Sequence, residues 1–406
     1  MNFRLSILLF VLFVESGQIF SQDQRAQIPS LLQKAYFEVN IGSVDFPFQA
    51  SSLEPGFSLV SVQVPHPAVR LVLFGYEFNK YLSAQLSYMR PVSWVRYRYS
   101  GTESRVHERT VWMNVGGLTL KPTLPLGKRW SVYGEAGLGL ITRHGFSDPY
   151  GVPVVLNAQY GTFLWGAGLK YKVNNHWDLQ LCSDYSPANI TYKQPSTTYI
   201  GAGFVYKFGT FNEKQLQKTA QTGFIYPKQW LQIGYTNNIA GYGINNAITS
   251  AYLFWGGDAE VKQGISINYQ RNIFHGAKIF ALDWGINASY WQTKGPGPGL
   301  DNPNKETFFT LSVFPVFRLN FLHSKPLDAY FYYSVAGPTY ISKIIIDGNN
   351  TGDHFTFQDT MGAGAFFGAN RNFNAELKIG HYSNGNTFPH NDAVKIPLSL
   401  LVGYSF

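Results

Sequence analysis

The chain is short of cysteine, of charge and of long apolar runs. It has a single cysteine, Cys182, in 406 residues, which rules out an internal disulfide scaffold and a zinc site built from cysteines. Charged residues make up 14% of the chain, against roughly a quarter in an average soluble domain, which argues against a typical cytosolic enzyme. After the N-terminal segment, no apolar run approaches the ~20 residues that a membrane-spanning helix needs. The net charge of +8 is scattered along the chain, so nucleic acid is not an expected partner.

Residues 1–21 have the features of a signal peptide. Arg4 supplies a positive charge, and the stretch from Leu5 to Val14 is an apolar core of about ten residues. Ser21 is a small residue at a suitable cleavage point, and no cysteine follows that would carry a lipoprotein anchor. We therefore expect an exported protein whose mature part begins at residue 22.

The chain is rich in alternating apolar and polar residues. In the segment Ile265–Gln270, odd positions are apolar and even positions are polar, and many other segments repeat this pattern. A period of two indicates a strand with one apolar and one polar face. Several segments alternate for ten or more residues, which suits the roughly 9–11 residues that a barrel strand needs to cross a membrane. Aromatic residues, 17% of the chain, crowd the segment ends, and the last residue is Phe406. These features favour an all-β fold of transmembrane antiparallel β-barrels over a soluble sandwich.

The alternating segments number eight in each half of the chain. We predict strands near 35–42, 66–77, 79–91, 106–121, 128–144, 157–173, 175–187 and 196–208, and then near 229–237, 259–273, 277–293, 305–321, 327–343, 354–370, 372–384 and 395–406. The polar stretch 210–228 breaks the alternation and is interpreted as a linker. The prediction is two eight-stranded barrels in tandem, within 22–209 and 229–406; a single sixteen-stranded porin is the alternative. An eight-stranded barrel is filled by its own side chains, so bulk diffusion is not an expected function.

One short segment, 380–387, concentrates chemically useful side chains. On the strand before the last, Leu377 and Ile379 share the apolar, lipid-facing parity, and the same parity carries His381 and Ser383 outward. Two residues of strand separate a pair by about 6.5–7 Å, a gap that side chains can close. An imidazole can then take the serine proton and raise its nucleophilicity. Asn384 and the amide of Gly385 could donate to an oxyanion.

The same segment resembles a known family. The run His-Tyr-Ser-Asn-Gly at 381–385, on the penultimate strand of a barrel that ends Gly-Tyr-Ser-Phe, is similar to the lipid A 3-O-deacylases, and the resemblance covers about 228–406. It implies an outer-membrane esterase that removes the 3-linked acyl chain of lipid A, with His381 as general base, Ser383 as nucleophile and Asn384 in the oxyanion hole. The partner would be lipid A or lipopolysaccharide in the outer membrane of a Gram-negative bacterium. No cofactor or metal is implied, and a homodimer is left open.

The sequence departs from that family at the acid. The family's carboxylate lies about fourteen residues after the histidine, where this chain has Lys395, and the alternation of the last strand turns Lys395 inward. The nearest carboxylate is Asp392, which would orient His381 if the loop bends suitably. The first barrel resembles small outer-membrane barrels at the level of fold only. A non-enzymatic structural or adhesive barrel is therefore the alternative function.

Overall fold

A computed structural model describes residues 27–101, 105–221, 223–248, 257–276, 279–295 and 305–406. The predicted signal peptide and its cleavage point lie outside the described residues. In these ranges the chain is mostly β-strand. None of the helices within them is long and apolar enough to cross a membrane.

The strands of the first half follow the predicted segments, with short additions in the connections. After a one-turn helix α1 (Ser30–Gln33), they are β1 (Ala35–Asp45), β2 (Ser58–Gln63), β3 (Pro67–Asn79), β4 (Leu82–Pro91), β5 (Val95–Ser100), β6 (Val106–Pro125), β7 (Trp130–His144), β8 (Phe146–Ser147), β9 (Pro153–Val155), β10 (Ala158–Lys172), β11 (Trp177–Ser186) and β12 (Thr197–Lys207). A 3-10 turn covers Ala50–Ser52. All eight predicted strands are present.

Eight of these strands form a closed antiparallel barrel. They are hydrogen-bonded in the order β6-β4-β3-β1-β12-β11-β10-β7, and β7 pairs back to β6, with Gly117 opposite Gly139. The first part of β6 continues beyond the barrel and pairs with β5, which in turn pairs with β2. Sequence alternation did not predict this three-stranded extension.

The second half forms another closed barrel. Its elements are α2 (Glu213–Ala220), β13 (Gln229–Asn237), α3 (Gly243–Ile248), β14 (Ala259–His275), β15 (Phe280–Thr293), β16 (Thr307–His323), β17 (Leu327–Ile341), β18 (Ile345–Ile346), β19 (Asn349–Asn350), β20 (Phe355–Phe367), β21 (Phe373–Ser383) and β22 (Val394–Ser405). Strands β13 to β17 and β20 to β22 pair in chain order, and β13 closes on β22 with Ile233 opposite Val402. The chain thus closes twice, and not once as a sixteen-stranded porin would.

Polar and charged side chains fill both barrels. In the first, Arg70 lies 2.7 Å from Glu135 and 2.9 Å from Asp184, and Lys121 lies 2.6 Å from Glu38. In the second, Arg318 makes a two-bond contact with Asp283. Such pairing offsets the cost of burying charge. Because these side chains fill the lumen, neither barrel has a wide pore.

The segment between the barrels differs from the prediction of a plain linker. Residues 213–220 form helix α2, which begins with a capping box. The Asn212 side chain accepts from the Gln215 amide at 2.9 Å, and the Gln215 side chain accepts from the Asn212 amide at 2.8 Å. The Asn-x-x-Gln spacing is a sequence signal for this helix that is independent of the apolar alternation.

The two ends of the second barrel differ in the length of their connections. At one end few residues separate consecutive strands, at 276–279, 324–326 and 368–372, whereas at the other end the separations are long, at 238–258, 294–306, 342–354 and 384–393. Outer-membrane barrels have short periplasmic turns and longer extracellular loops. By this pattern, the end that carries 384–393 is the extracellular end. The long connections of the first barrel, which contain β2, β5, β8 and β9, all lie at one end as well.

Candidate active site at the end of β21

Strand β21 carries the predicted pair to the long-loop end of the second barrel. Its register with β20 is continuous from Phe373 to Ser383, so the two-residue alternation holds along its length. Glu376 and Lys378 are buried in the lumen, and Leu377 is 49% exposed on the outer face, as predicted. His381 and Ser383 continue the outward parity of Leu377.

The outer face is not uniformly exposed, however. Ile379 and His381 are each only 4% exposed, although Ile379 was expected to contact lipid. Helix α3 lies against β21 at this end of the barrel, and its Asn245 donates to the Ile396 carbonyl of β22 at 2.8 Å. The histidine therefore lies on the outward side of the strand in a covered position, while Ser383 is half-buried.

The carboxylate beside His381 is Asp359. The two residues are direct cross-strand partners on β20 and β21, and His381 Nδ1 lies 3.4 Å from Asp359 Oδ2. The other oxygen of Asp359 accepts from the amide of Ala336 at 2.7 Å. Ala336 lies in a bulge of β17 at a φ of 53°, an uncommon value for a residue with a side chain. That bond holds the carboxylate in place from the side opposite His381.

Sequence reasoning missed Asp359 because no spacing links it to His381 along the chain. The residues lie on different strands, and only the register of β20 with β21 brings them together. A signal was present, since Asp359 is a charged residue at an outward position, between Phe357 and Met361. Charge on the lipid-facing parity of a barrel strand is costly, which makes such a residue a candidate for function.

Asp392 lies elsewhere in the loop. Its Oδ2 accepts from the Asn350 amide at 2.8 Å, and its own amide donates to the Asn350 carbonyl at 2.9 Å. Asp392 is thus held by two hydrogen bonds to Asn350 of β19, and the loop does not bend so as to turn its carboxylate toward His381. The structure does not bring Asp392 together with His381 in any contact of the described residues.

The orientation inferred for Lys395 was wrong. Between the pairs Lys378–Ser399 and Gly380–Ile396, β22 has one residue more than β21, which is a bulge at Pro397 and Leu398. One extra residue inverts the alternation beyond it. Ile396 therefore packs inward with the buried cluster, and Lys395 lies outward, directly opposite His381.

Ser383 is held by the loop that follows it, residues 384–392, which we call the Ser383 loop. Asn391 Nδ2 donates to Ser383 Oγ at 2.9 Å, and the Gly385 amide donates to the same oxygen at 3.2 Å. Asn391 also donates to Asn386 Oδ1 and accepts from the Asn384 amide. The side chain of Asn391, which the sequence did not single out, thus joins the serine to Asn384 and to Asn386.

The Ser383 loop begins with a tight turn over residues 384–387. The Thr387 amide donates to the Asn384 carbonyl at 3.0 Å, and Gly385 and Asn386 have φ values of 63° and 58°. Positive φ at both central residues is typical of a type I′ turn and explains an Asn and a Gly there. This turn directs the Gly385 amide at Ser383.

Asn384 has a different place from the one expected for an oxyanion donor. Its side-chain nitrogen donates to the Thr351 carbonyl at 2.8 Å and to the His390 carbonyl at 2.6 Å, and the residue is fully buried. Both donors of the amide group are used to join the Ser383 loop to the preceding connection. Of the two residues expected to donate, Gly385 is the one whose N–H lies at the serine oxygen.

Comparison with known proteins agrees with this architecture. Residues 33–208 match the model of the outer membrane protein beta-barrel domain, and residues 263–404 match that of lipid A 3-O-deacylase (PagL). No curated protein sequence matches the chain. The protein is thus an outer-membrane β-barrel protein. The match over 263–404 lies in the C-terminal barrel and agrees with the resemblance at 381–385.

Solved structures with a similar barrel each cover less than half of the chain. The outer membrane enzyme PagL is 18% identical over 44% of this chain and 99% of its own, with a TM-score of 0.30. Neisserial surface protein A is 16% identical over 43% of this chain and 97% of its own, with a TM-score of 0.28. The N-terminal β-barrel of Pseudomonas aeruginosa OprF is 16% identical over 43% and 98%, with a TM-score of 0.27.

Proposed function

We propose that the C-terminal barrel is an esterase that removes the 3-O-linked acyl chain from lipid A, with Ser383 as its nucleophile. The observation that carries the proposal is the row of Asp359, His381 and Ser383 on one outward face, with Nδ1 of His381 3.4 Å from Asp359. The family match over 263–404 includes His381 and Ser383 and supports the same activity.

The place of these residues suits a substrate that lives in the membrane. They lie on the outward side of the barrel, near its long-loop end, and next to lipid-exposed residues such as Leu377 and Leu400. A lipid of the outer leaflet presents its ester bonds at that depth, between sugar and hydrocarbon. The substrate can therefore approach from the bilayer without entering the filled lumen.

The chemistry is acyl transfer in two steps. Ser383 Oγ attacks the ester carbonyl while His381 Nε2 takes the serine proton, and the histidine then returns that proton to the departing sugar oxygen. Water attacks the acyl-serine in the same way and releases the fatty acid. Asp359, on Nδ1, fixes the tautomer and stabilises the imidazolium that forms. The 3.4 Å separation is long for a hydrogen bond, as is common before a substrate is bound.

Two donors beside Ser383 suit the negative charge that develops on the carbonyl oxygen. The Gly385 amide and Asn391 Nδ2 lie 3.2 and 2.9 Å from Ser383 Oγ, next to the position of the reacting carbon. In this proposal Asn384 acts through its neighbours, because its side chain joins the Ser383 loop to Thr351 and His390. Asp392 likewise holds the loop and does not orient the histidine.

Mass spectrometry of lipid A from cells that express the protein tests the proposal. We expect wild-type protein to remove one acyl chain, and Ser383→Ala, His381→Ala and the double variant all to lose activity to a similar extent, because nucleophile and base act as one unit. Ser342→Ala is the matched control, since Ser342 lies at the same end and bonds only to Phe309 in the described contacts.

The alternative, a structural or adhesive barrel, is favoured by one observation, the presence of Lys395 at the family's acid position. Unchanged lipid A in cells that carry folded wild-type protein would support it. Acyl release that persists in Ser383→Ala would overturn the hydrolase mechanism.

A further inference from the structure

The outer wall of the first barrel carries an unexpected polar patch. Asn114 on β6, Thr142 on β7 and Gln159 on β10 are neighbours across three adjacent strands, since Thr142 pairs with both of the others. Tyr88 on β4 lies beside them, opposite Gly116 of β6. These four residues form what we call the polar patch.

The polar patch faces outward. Its strand neighbours Met113, Val115 and Ile141 are buried in the core of the barrel, so the alternate residues Asn114 and Thr142 point away from it. Further along the same strands, outward positions are apolar and exposed, as Leu118, Leu138 and Phe163 show. Amide and hydroxyl groups are costly where lipid is expected, so a polar patch in that wall indicates a polar partner.

The partner in this chain is the Ser383 loop of the second barrel. Tyr88 Oη donates to the Gly385 carbonyl at 2.8 Å, and Asn114 Nδ2 donates to the Asn386 carbonyl at 3.2 Å. The Thr387 carbonyl accepts from Thr142 Oγ1 at 2.8 Å and from Gln159 Nε2 at 2.6 Å. All four side chains of the polar patch are thus bonded to three consecutive carbonyls.

Two further contacts extend this interface along the loop. His144 Nδ1 lies at hydrogen-bond distance from the Pro389 carbonyl, and its ring meets His390 edge to face. Asn114 and Thr142 are each only 2% exposed beneath the loop. Because its acceptors are backbone carbonyls, the polar patch recognises the conformation of residues 385–387 and not their side chains.

The barrels also meet at their other end. Phe208 and Phe211, which follow β12, make ring contacts with Phe274 of β14 at 6.4 and 6.2 Å. Gln27 exchanges two hydrogen bonds with the backbone of Phe211 in the same cluster. The two walls are therefore held together near the short-turn end, which presents the polar patch to the Ser383 loop at the long-loop end.

We propose that the first barrel is a built-in positioning partner of the second, and that its polar patch fixes the Ser383 loop in the conformation that places donors on Ser383. The carbonyls of Gly385 and Asn386 are bonded to Tyr88 and Asn114, while Gly385 N–H and Asn386 Oδ1 belong to the network around Ser383 and Asn391. Loss of the polar patch releases the turn that aims these groups. The residues of the patch are positioning residues, since they touch the loop and not the reacting atoms.

The test keeps Tyr88 and replaces the other three residues of the polar patch by apolar residues of similar size. In Asn114→Leu/Thr142→Val/Gln159→Leu, the first barrel keeps a lipid-compatible wall and should keep its heat-dependent gel shift. We expect kcat for lipid A deacylation to fall by about tenfold to a hundredfold with little change in KM, because the groups on Ser383 lose their alignment. Thr142→Ser, which keeps the hydroxyl, and Leu138→Val, on the same strand outside the patch, should both behave as wild type.

The kinetic test rests on the proposed function. A second measurement therefore tests, independently of activity, whether the Ser383 loop docks on the polar patch. Cysteines at positions 142 and 387 should be joined by a short bis-maleimide in the full-length protein in outer-membrane vesicles, whereas cysteines at 138 and 387 should not, since four residues of strand separate the sites by about 13 Å. The native Cys182 is buried and should not compete. Equal cross-linking of both pairs, or wild-type kcat in the triple variant, would overturn the proposal. If the cysteine at position 387 is cross-linked to position 142 and not to position 138 in a protein that releases no fatty acid, the hydrolase function would be refuted. The contact between the polar patch and the Ser383 loop would still stand.

Discussion

Asp359 and His381 face each other across β20 and β21, with Oδ2 of the carboxylate 3.4 Å from Nδ1 of the ring. The register of the two strands creates this pair, and a hydrogen bond from Ala336 holds the carboxylate from the other side. The relationship places a carboxylate beside the histidine although position 395 is a lysine. It also separates two carboxylates, Asp359 and Asp392, whose roles can be measured independently.

The first prediction compares these two carboxylates. Asp359→Asn should lower kcat by about a hundredfold or more, because the amide no longer fixes the tautomer of His381 or stabilises its charge. Asp392→Asn should retain most activity, since an asparagine at 392 still accepts from the Asn350 amide. Initial rates of fatty-acid release from lipid A vesicles measure both. A larger loss in Asp392→Asn than in Asp359→Asn would return the role of the acid to Asp392.

A rescue experiment follows from the bulge in β22. Because position 395 lies opposite His381 on the outward face, Lys395→Glu should place a second carboxylate beside the imidazole. We expect Asp359→Asn/Lys395→Glu to recover part of the activity that Asp359→Asn loses. Lys395→Gln in the same background is the matched control and should recover none, because it removes the positive charge without supplying an acid.

Asn391 provides a test of the oxyanion donors. Asn391→Leu keeps the approximate size of the side chain but removes its bonds to Ser383, Asn384 and Asn386. We expect kcat to fall by about a hundredfold to a thousandfold, the range found when one such donor is removed. Asn349→Leu, in the neighbouring hairpin, serves as the control for a lost asparagine. Equal kinetics in the two variants would place the donor elsewhere.

The faces of β21 can be checked by charge and by labelling. An arginine at Leu377, on the exposed face, should cost about 2–4 kcal/mol of folding free energy if the position lies near the midplane. A cysteine at 377 should react with a lipid-soluble maleimide, whereas one at the buried neighbour Lys378 should not. The inverse labelling pattern would place His381 on the lumen side and remove the argument for a membrane substrate.

The two closed barrels predict the outcome of cutting the chain between them. A protease site inserted near Gln217 of α2 should yield two fragments, each with the heat-dependent gel shift of a folded barrel. In mild detergent the fragments should remain together through the polar patch and through the ring contacts of Phe208 and Phe211 with Phe274. A single unfolded species after cleavage would show that neither barrel is stable alone.

The alternation of apolar and polar residues was sufficient to locate the strands and to assign most of their faces. Alternation located all sixteen barrel strands, because burial of one face against a filled lumen and exposure of the other to lipid impose a period of two. The same rule placed Glu376 and Lys378 inside and Leu377 outside. At Ile379, which is buried on a strand that α3 contacts, the rule could not tell a lipid contact from a protein contact, since both are apolar.

The pairing of strands decided what the pattern could not. Alternation along β22 turned Lys395 inward, because a single extra residue near Pro397 leaves no trace in the apolar pattern and yet inverts every side chain beyond it. The family's spacing likewise put the acid near position 395, where Asp392 is the nearest carboxylate along the chain, whereas the carboxylate beside His381 lies on another strand. Register is a property of two paired strands, so it cannot be predicted from the sequence of one strand alone.

By itself, then, the sequence predicted an exported chain with sixteen alternating strands. It also placed a histidine and a serine on the outer face of the penultimate strand. The residues 381–385 were sufficient to indicate the lipid A 3-O-deacylase family, because the motif is contiguous. Only the tertiary structure places Asp359 beside His381 and the Ser383 loop against the first barrel. Those contacts join residues from 22 to 297 positions apart, and their geometry exists only once both barrels have closed.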